Sequence, residues 1–217
     1  VDRIPQMMQN AFAQLRNGKP GPVVLEVPHD LYTQDIDSGL INQYRPQRRS
    51  SPCANTSEIT DFVDLLLNAS APVIIAGQGI LYSGASDELV RLAELTQIPV
   101  ISTLNGKGCF PEDHPLSLGC AGLSRPDGVV QFLNNADLIV GLGTSFTRSE
   151  YITPFPFEGR TYAQLTNWEG DIAKDYPIDF AIIGDAKPTL ETAVKELCER
   201  LGTNGRQENS STRDEVL

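Results

Sequence analysis

A Rossmann-like, doubly wound α/β fold, with a mostly parallel sheet and helices on both faces, is predicted by three features of this sequence. Short apolar runs alternate with amphipathic helical segments through most of the chain. One run, Leu138–Leu142, is apolar without interruption, as a strand covered on both faces must be. The runs recur at the spacing of strand–helix–strand units, which lays successive strands parallel.

The elements follow in order. Met8, Ala11, Phe12 and Leu15 share a helical face, and Asn17-Gly18 stops that helix. Residues 23–27 (Val-Val-Leu-Glu-Val) read as a short strand ended by Pro28. From about residue 32 to 55 the composition turns to Gln, Asn, Arg, Ser and Pro, the signature of a surface linker. Asn55 then caps a new helix, with Glu58 placed to bond back to it, and Ile59, Phe62, Val63, Leu66 and Leu67 line its inner face. A strand is expected at 73–76, a helix at 86–97 with Leu89, Leu92, Ala93 and Thr96 inward, and a strand at 100–104. A short helix at 126–135, the strand Leu138–Leu142, and strands at 162–166 and 180–183 follow. The last helix takes Asp185 as cap and Pro188 in its first turn, with Leu190, Ala193, Val194, Leu197 and Leu201 inward. Beyond Gly202 the chain is polar.

Composition narrows the function. Among 217 residues, 28 acidic against 17 basic side chains give a net charge of −11. Nucleic-acid binding rests on clustered Lys and Arg, and Arg45, Arg48 and Arg49 form the one basic run, inside the linker. No nucleic-acid partner is expected. No apolar run approaches the ~18–20 residues that span a bilayer, and residues 1–10 are too polar for a signal peptide, so no membrane partner and a cytoplasmic location are expected. Cys53, Cys109, Cys120 and Cys198 lack the close spacing of zinc or redox motifs and read as reduced thiols, with a Cys109–Cys120 bridge as the minor alternative. Two histidines, His29 and His114, are too few for a His-rich metal site.

Doubly wound sheets bind ligands outside the carboxyl ends of their strands. Three loops there, and one helix start, carry the candidate cofactor-binding residues. The first loop offers Gly77, Gln78, Gly79 and Ile80, glycines that let backbone approach a phosphate or simply make a tight turn. Thr103, Leu104 and Asn105 follow the second strand, with Gly106-Lys107-Gly108 behind them. Gly143, Thr144 and Ser145 follow the strand Leu138–Leu142. Asp185 reads either as a ribose or adenine acceptor or as a plain helix cap. His114, within Pro111-Glu112-Asp113-His114-Pro115, reads as a turn residue, and His29 as exposed. No G-x-S-x-G elbow is present, so no Ser-His-Asp hydrolase and no catalytic residue is assigned.

Several of these segments together are family-specific. Ala71-Pro72 through Gly84-Ala85, Leu104-Asn105-Gly106-Lys107-Gly108-Cys109-Phe110-Pro111-Glu112-Asp113-His114-Pro115, Ala136-Asp137-Leu138-Ile139-Val140-Gly141-Leu142-Gly143, and Lys174-Asp175-Tyr176-Pro177-Ile178-Asp179 through Gly184-Asp185-Ala186-Lys187 stand in the order of one family. They resemble the central domain of thiamine diphosphate-dependent enzymes, above all the acetolactate (acetohydroxyacid) synthases and related 2-oxoacid decarboxylases. Gly21-Pro22-Val23-Val24-Leu25-Glu26-Val27-Pro28-His29-Asp30 resembles the last strand of that family's pyrimidine-binding domain. The resemblance implies residues 1–34 as the end of a pyrimidine-binding domain, 35–54 as linker, 55–201 as the central domain and 202–217 as a polar tail. It also implies a carboligase or decarboxylase parent that uses thiamine diphosphate and Mg²⁺. Both would be held by flanking pyrimidine- and diphosphate-binding domains in a homo-oligomer, leaving this chain inactive alone.

The resemblance raises FAD or ADP as a ligand of the central domain, and a free-standing FAD- or adenine-nucleotide-binding module as the alternative function. The departures from the pattern count against that ligand. Ser145 stands where binders place an arginine, with Lys107, Arg125 and Arg148 as substitutes, and the acidic H-I-D-I-D segment is Gln164-Leu165-Thr166-Asn167-Trp168. The histidine of L-G-M-H-G is Ala121.

Overall fold

The computed structural model describes residues 1–124, 126–151, 154–156 and 158–206. Two compact units are present, Val1–Ser51 and a larger one that begins at Pro52.

The first unit is one helix and two 3₁₀ turns. Helix α1 (Ile4–Arg16) ends where the sequence places its stop. The Asn17 side-chain amide donates to the Ala13 carbonyl at 2.7 Å, and Gly18 takes φ +63°. The 3₁₀ turns are His29–Thr33 and Ser38–Gln43, and the Phe12 and Tyr44 rings meet edge to face at 6.4 Å. The expected strand at 23–27 is not formed, and Val24 is 82% exposed. A strand exists through a hydrogen-bonded neighbour, and among the described residues this unit has no other strand to pair with it.

The second unit is the predicted doubly wound sheet. Helix α2 (Thr56–Asn68) starts at Asn55, whose Oδ1 accepts from the Ser57 amide and hydroxyl, each at 3.0 Å. Then come β1 (Pro72–Ala76), α3 (Gln78–Ser83), α4 (Ser86–Thr96), β2 (Val100–Thr103), β3 (Ser117–Ala121), α5 (Asp127–Asn135), β4 (Leu138–Leu142), β5 (Thr161–Thr166), β6 (Phe180–Ile183) and α6 (Ala186–Leu201). Six strands pair in the order β3-β2-β1-β4-β5-β6, every pair parallel. The chain works outward from β1 to β3, then returns to the other side of β1 as β4. The topological switch point therefore lies between the carboxyl ends of β1 and β4.

Strand periodicity sorts the side chains between two cores. Ile74, Ala76, Val140 and Leu142 join α2, α4 and α6 on one face. Val73, Ile75, Ile101 and Ile139 join Val129 and Leu133 of α5 on the other. Two elements were not evident in the sequence. Strand β3 carries a register shift and Gly119 at φ +87°, which break the alternation that announces a strand. Helix α3 follows a glycine turn and leaves Leu81 and Tyr82 exposed, so it shows no apolar stripe.

Candidate functional site

The loops after β1 and β4 meet at the switch point, and they meet through backbone. The Gly77 amide donates to the Leu142 carbonyl and the Gly79 amide to the Gly143 carbonyl, both at 2.9 Å. The Ile80 amide donates to the Gly77 carbonyl at 3.1 Å. A Cβ on Gly77 would lie 2.4 Å from the Gly143 oxygen, and one on Gly79 would lie 2.7 Å from the Gly143 Cα. Gly143 itself sits at φ +63°, with the Ile80 nitrogen 2.8 Å from where its Cβ would be. These glycines hold two chains together where side chains would not fit. The donors that would greet a phosphate from Gly79 and Ile80 are already bonded to carbonyls.

The other expected residues occupy the same edge in different ways. Gln78 is exposed and Ile80 buried. Thr103 turns inward to its own loop, its hydroxyl accepting from the Gly106 amide at 3.1 Å, while Leu104 and Asn105 are exposed. The Ser145 and Thr147 hydroxyls pair at 2.9 Å. Thr144 is tied down by Gln164, whose amide nitrogen donates to the Thr144 carbonyl at 2.9 Å and to the Asp171 carbonyl at 3.2 Å. Gln164, 1% exposed, is the positioning residue that no sequence signal marked. Its place at the end of an apolar strand was the available hint.

Asp185 is separated from the switch point by the width of β4, β5 and β6. Its carboxylate accepts from the Ser83 hydroxyl and, at 3.4 Å, from the Lys187 amide; Ser83 in turn accepts from that amide at 2.7 Å. The acid thus fixes the start of α6 to the end of α3, the capping role that the sequence allowed. Of the three cations offered as substitutes at this edge, Lys107 pairs with Glu112 at 2.8 Å and Arg148 lies 4.7 Å over the Tyr176 ring. Arg125 lies outside the described residues.

Behind the β2 loop, Cys109 is fully buried against Phe110 and Leu116, and all four cysteines are free thiols. Burial pushes the Cys109 thiol from its ordinary value of 9.0 up to about 11. The unfolded thiol ionises near 9 while the folded one keeps its proton to about 11. Stability is therefore unaffected below the first value and falls as pH rises through the second. Denaturant titrations in reductant from pH 8.5 to 11 should show a loss approaching about 2 kcal/mol, and Cys109→Ala should remove that part of the slope.

The family model for the thiamine pyrophosphate enzyme central domain matches residues 59–193. The chain belongs to that family. It is 33% identical over 206 residues to glyoxylate carboligase of Escherichia coli O157:H7, covering 94% of this chain and 34% of that protein. It is 32% identical over 195 residues to an acetolactate synthase large subunit of Corynebacterium glutamicum, covering 86% and 30% respectively. The solved benzoylformate decarboxylase of Polynucleobacter necessarius shares the fold at TM-score 0.75 and 23% identity, over 97% of this chain and 38% of that one. The chain thus spans about a third of the length of the curated relatives it matches. The family implies thiamine diphosphate. Among the described residues no group of three or more His, Cys, Asp or Glu is placed to hold a metal ion, so the Mg²⁺–diphosphate unit does not fit here. No helix among them is long and apolar enough to cross a membrane.

Proposed function

We propose that this chain serves as the scaffolding central domain of a thiamine diphosphate-dependent carboligase or decarboxylase acting on 2-oxoacids, in the manner of the acetolactate synthases and glyoxylate carboligase. The observation that carries this reading is the backbone seam between Gly77–Gly79 and Gly143. It uses the switch point for structure, where a nucleotide-binding relative of the fold would use it for a ligand. On this reading residues 1–34 are the end of a pyrimidine-binding domain, 35–54 a linker, 55–201 the central domain and 202–217 a polar tail. The thiamine diphosphate and Mg²⁺ sites then belong to flanking pyrimidine- and diphosphate-binding domains in a homo-oligomer. When bound, the cofactor supplies the electron sink for decarboxylation, and this domain's part is to space the domains that hold it.

FAD or ADP at the Gly77, Thr103 and Gly143 edge would bind weakly. The net charge of −11 opposes an anion, and Ser145 supplies no charge-assisted bond. Losing one such bond costs about 1.5–3 kcal/mol, or roughly ten- to a hundredfold in affinity.

Two measurements test the proposal. Calorimetry of the chain with thiamine diphosphate and Mg²⁺ should show no binding in the micromolar range. Glyoxylate carboligase with its central domain replaced by residues 55–201 should fold, assemble and release CO₂ from glyoxylate. Micromolar cofactor binding by the chain, or a folded and assembled chimera that releases no CO₂, contradicts it.

A further inference from the structure

We infer that Cys109 and Cys120 form a peroxide-sensitive thiol pair whose disulfide locks the loop after β2 onto β3. The inference rests on placement. Cys120 lies opposite Ser102 in the β2–β3 register, and Ser102 lies opposite Ala76, so all three side chains point to the α2–α4–α6 face. Cys109 is buried in the core of that same face, at the end of the loop that leaves β2. The loop is folded back there, the Cys109 amide donating to the Gly106 carbonyl at 2.9 Å, with Gly106 packed on the Ala76 carbonyl. The two thiols are near enough to interact electrostatically, and the Lys107 ammonium interacts with Cys120 as well. Cys53 lies instead beside Pro188 and Thr192 of α6, and Cys198 is on α6 itself.

The asymmetry of the pair sets the order of events. Cys120 is partly exposed and meets the oxidant; Cys109 is buried and follows. The Cys120 sulfur attacks hydrogen peroxide, an S–O bond forms, the O–O bond breaks and water leaves, giving a sulfenic acid. The Cys109 sulfur then attacks the Cys120 sulfur, an S–S bond forms, the S–O bond breaks and a second water leaves. One peroxide and two thiols become one disulfide and two waters. Because Cys109 holds its proton until about pH 11, the second step is the slow one and should quicken with rising pH.

The consequence lies at the candidate edge, since the locked loop carries Leu104 and Asn105. Closing so short a loop should raise the Tm of the oxidised chain by about 5–10 °C. The test oxidises the full chain with hydrogen peroxide, blocks remaining thiols, and digests with trypsin and then with a Glu-specific protease. Residues 108–112 and 113–148 should stay joined until reduced, lighter by about 2 Da than the sum of the reduced peptides. Cys120→Ser should abolish the link and the Tm rise, while Cys53→Ser with Cys198→Ser should leave both unchanged. Oxidation that stops at adducts on Cys120, a link through Cys53 or Cys198, or no link in the wild-type chain would overturn the inference.

Discussion

Replacing Phe146 with alanine should destabilise the second unit by about 3–5 kcal/mol, read as a shift in denaturation midpoint. Phe146 is buried and holds φ +46°, a conformation that a large side chain adopts only when its surroundings fix it. Its ring sits 5.4 Å from Tyr162, 5.9 Å from Phe155 and 6.1 Å from Tyr176, the aromatic core of the α5 face. Gly141 makes room for it, since a Cβ there would stand 2.2 Å from the ring. The two positions must therefore be coupled. Gly141→Ala alone should cost about 1–3 kcal/mol by overpacking, and much less in a Phe146→Ala background, where the ring is gone. Additive costs in that cycle would show that the ring does not occupy the Gly141 face.

Gly143→Ala should lose more stability than an ordinary left-handed glycine, and Gly84 supplies the control. Both have positive φ, +63° and +67°, so both replacements carry the backbone cost of about 1–2 kcal/mol. Nothing lies within 4 Å of a Cβ on Gly84, whereas one on Gly143 meets the Ile80 nitrogen and the Gly79 backbone below 3.0 Å. Flexible side chains could yield, but these atoms are main chain in a bonded turn. A further about 1–3 kcal/mol is expected at Gly143, and Gly143→Val should exceed it. Equal midpoints for Gly84→Ala and Gly143→Ala would mean that the seam between the β1 and β4 loops is not tight.

Much of this architecture was legible because the residues obey one rule at a time. Continuous apolar runs such as Leu138–Leu142 could only be strands covered on both faces. The caps at Asn55 and Asp185 announced α2 and α6 through side chains that bond locally. What escaped depends on pairing across the chain. Residues 23–27 have strand composition without a neighbouring strand, and β3 has a neighbour without strand composition. At the site, topology pointed to the right loops, but glycine serves a phosphate and a close backbone crossing equally well. Only the Gly79–Gly143 hydrogen bond separates the two uses. Gln164 was invisible for a related reason: its role is defined by two carbonyls, of Thr144 and Asp171, that no side-chain pattern marks.

The scaffold reading turns on whether that carboxyl edge accepts a nucleotide, and the chain carries its own probe. Trp168, the single tryptophan, follows β5 on the same edge, packed over Gly170 and 46% exposed. Its fluorescence should be followed while FAD and ADP are titrated into the purified, colourless protein. Half-saturation in tenths of a millimolar or weaker is the result this account predicts, with no visible flavin carried through purification. Sub-micromolar binding of either nucleotide, lost in Gly79→Asp, would contradict it and would make the seam a binding site.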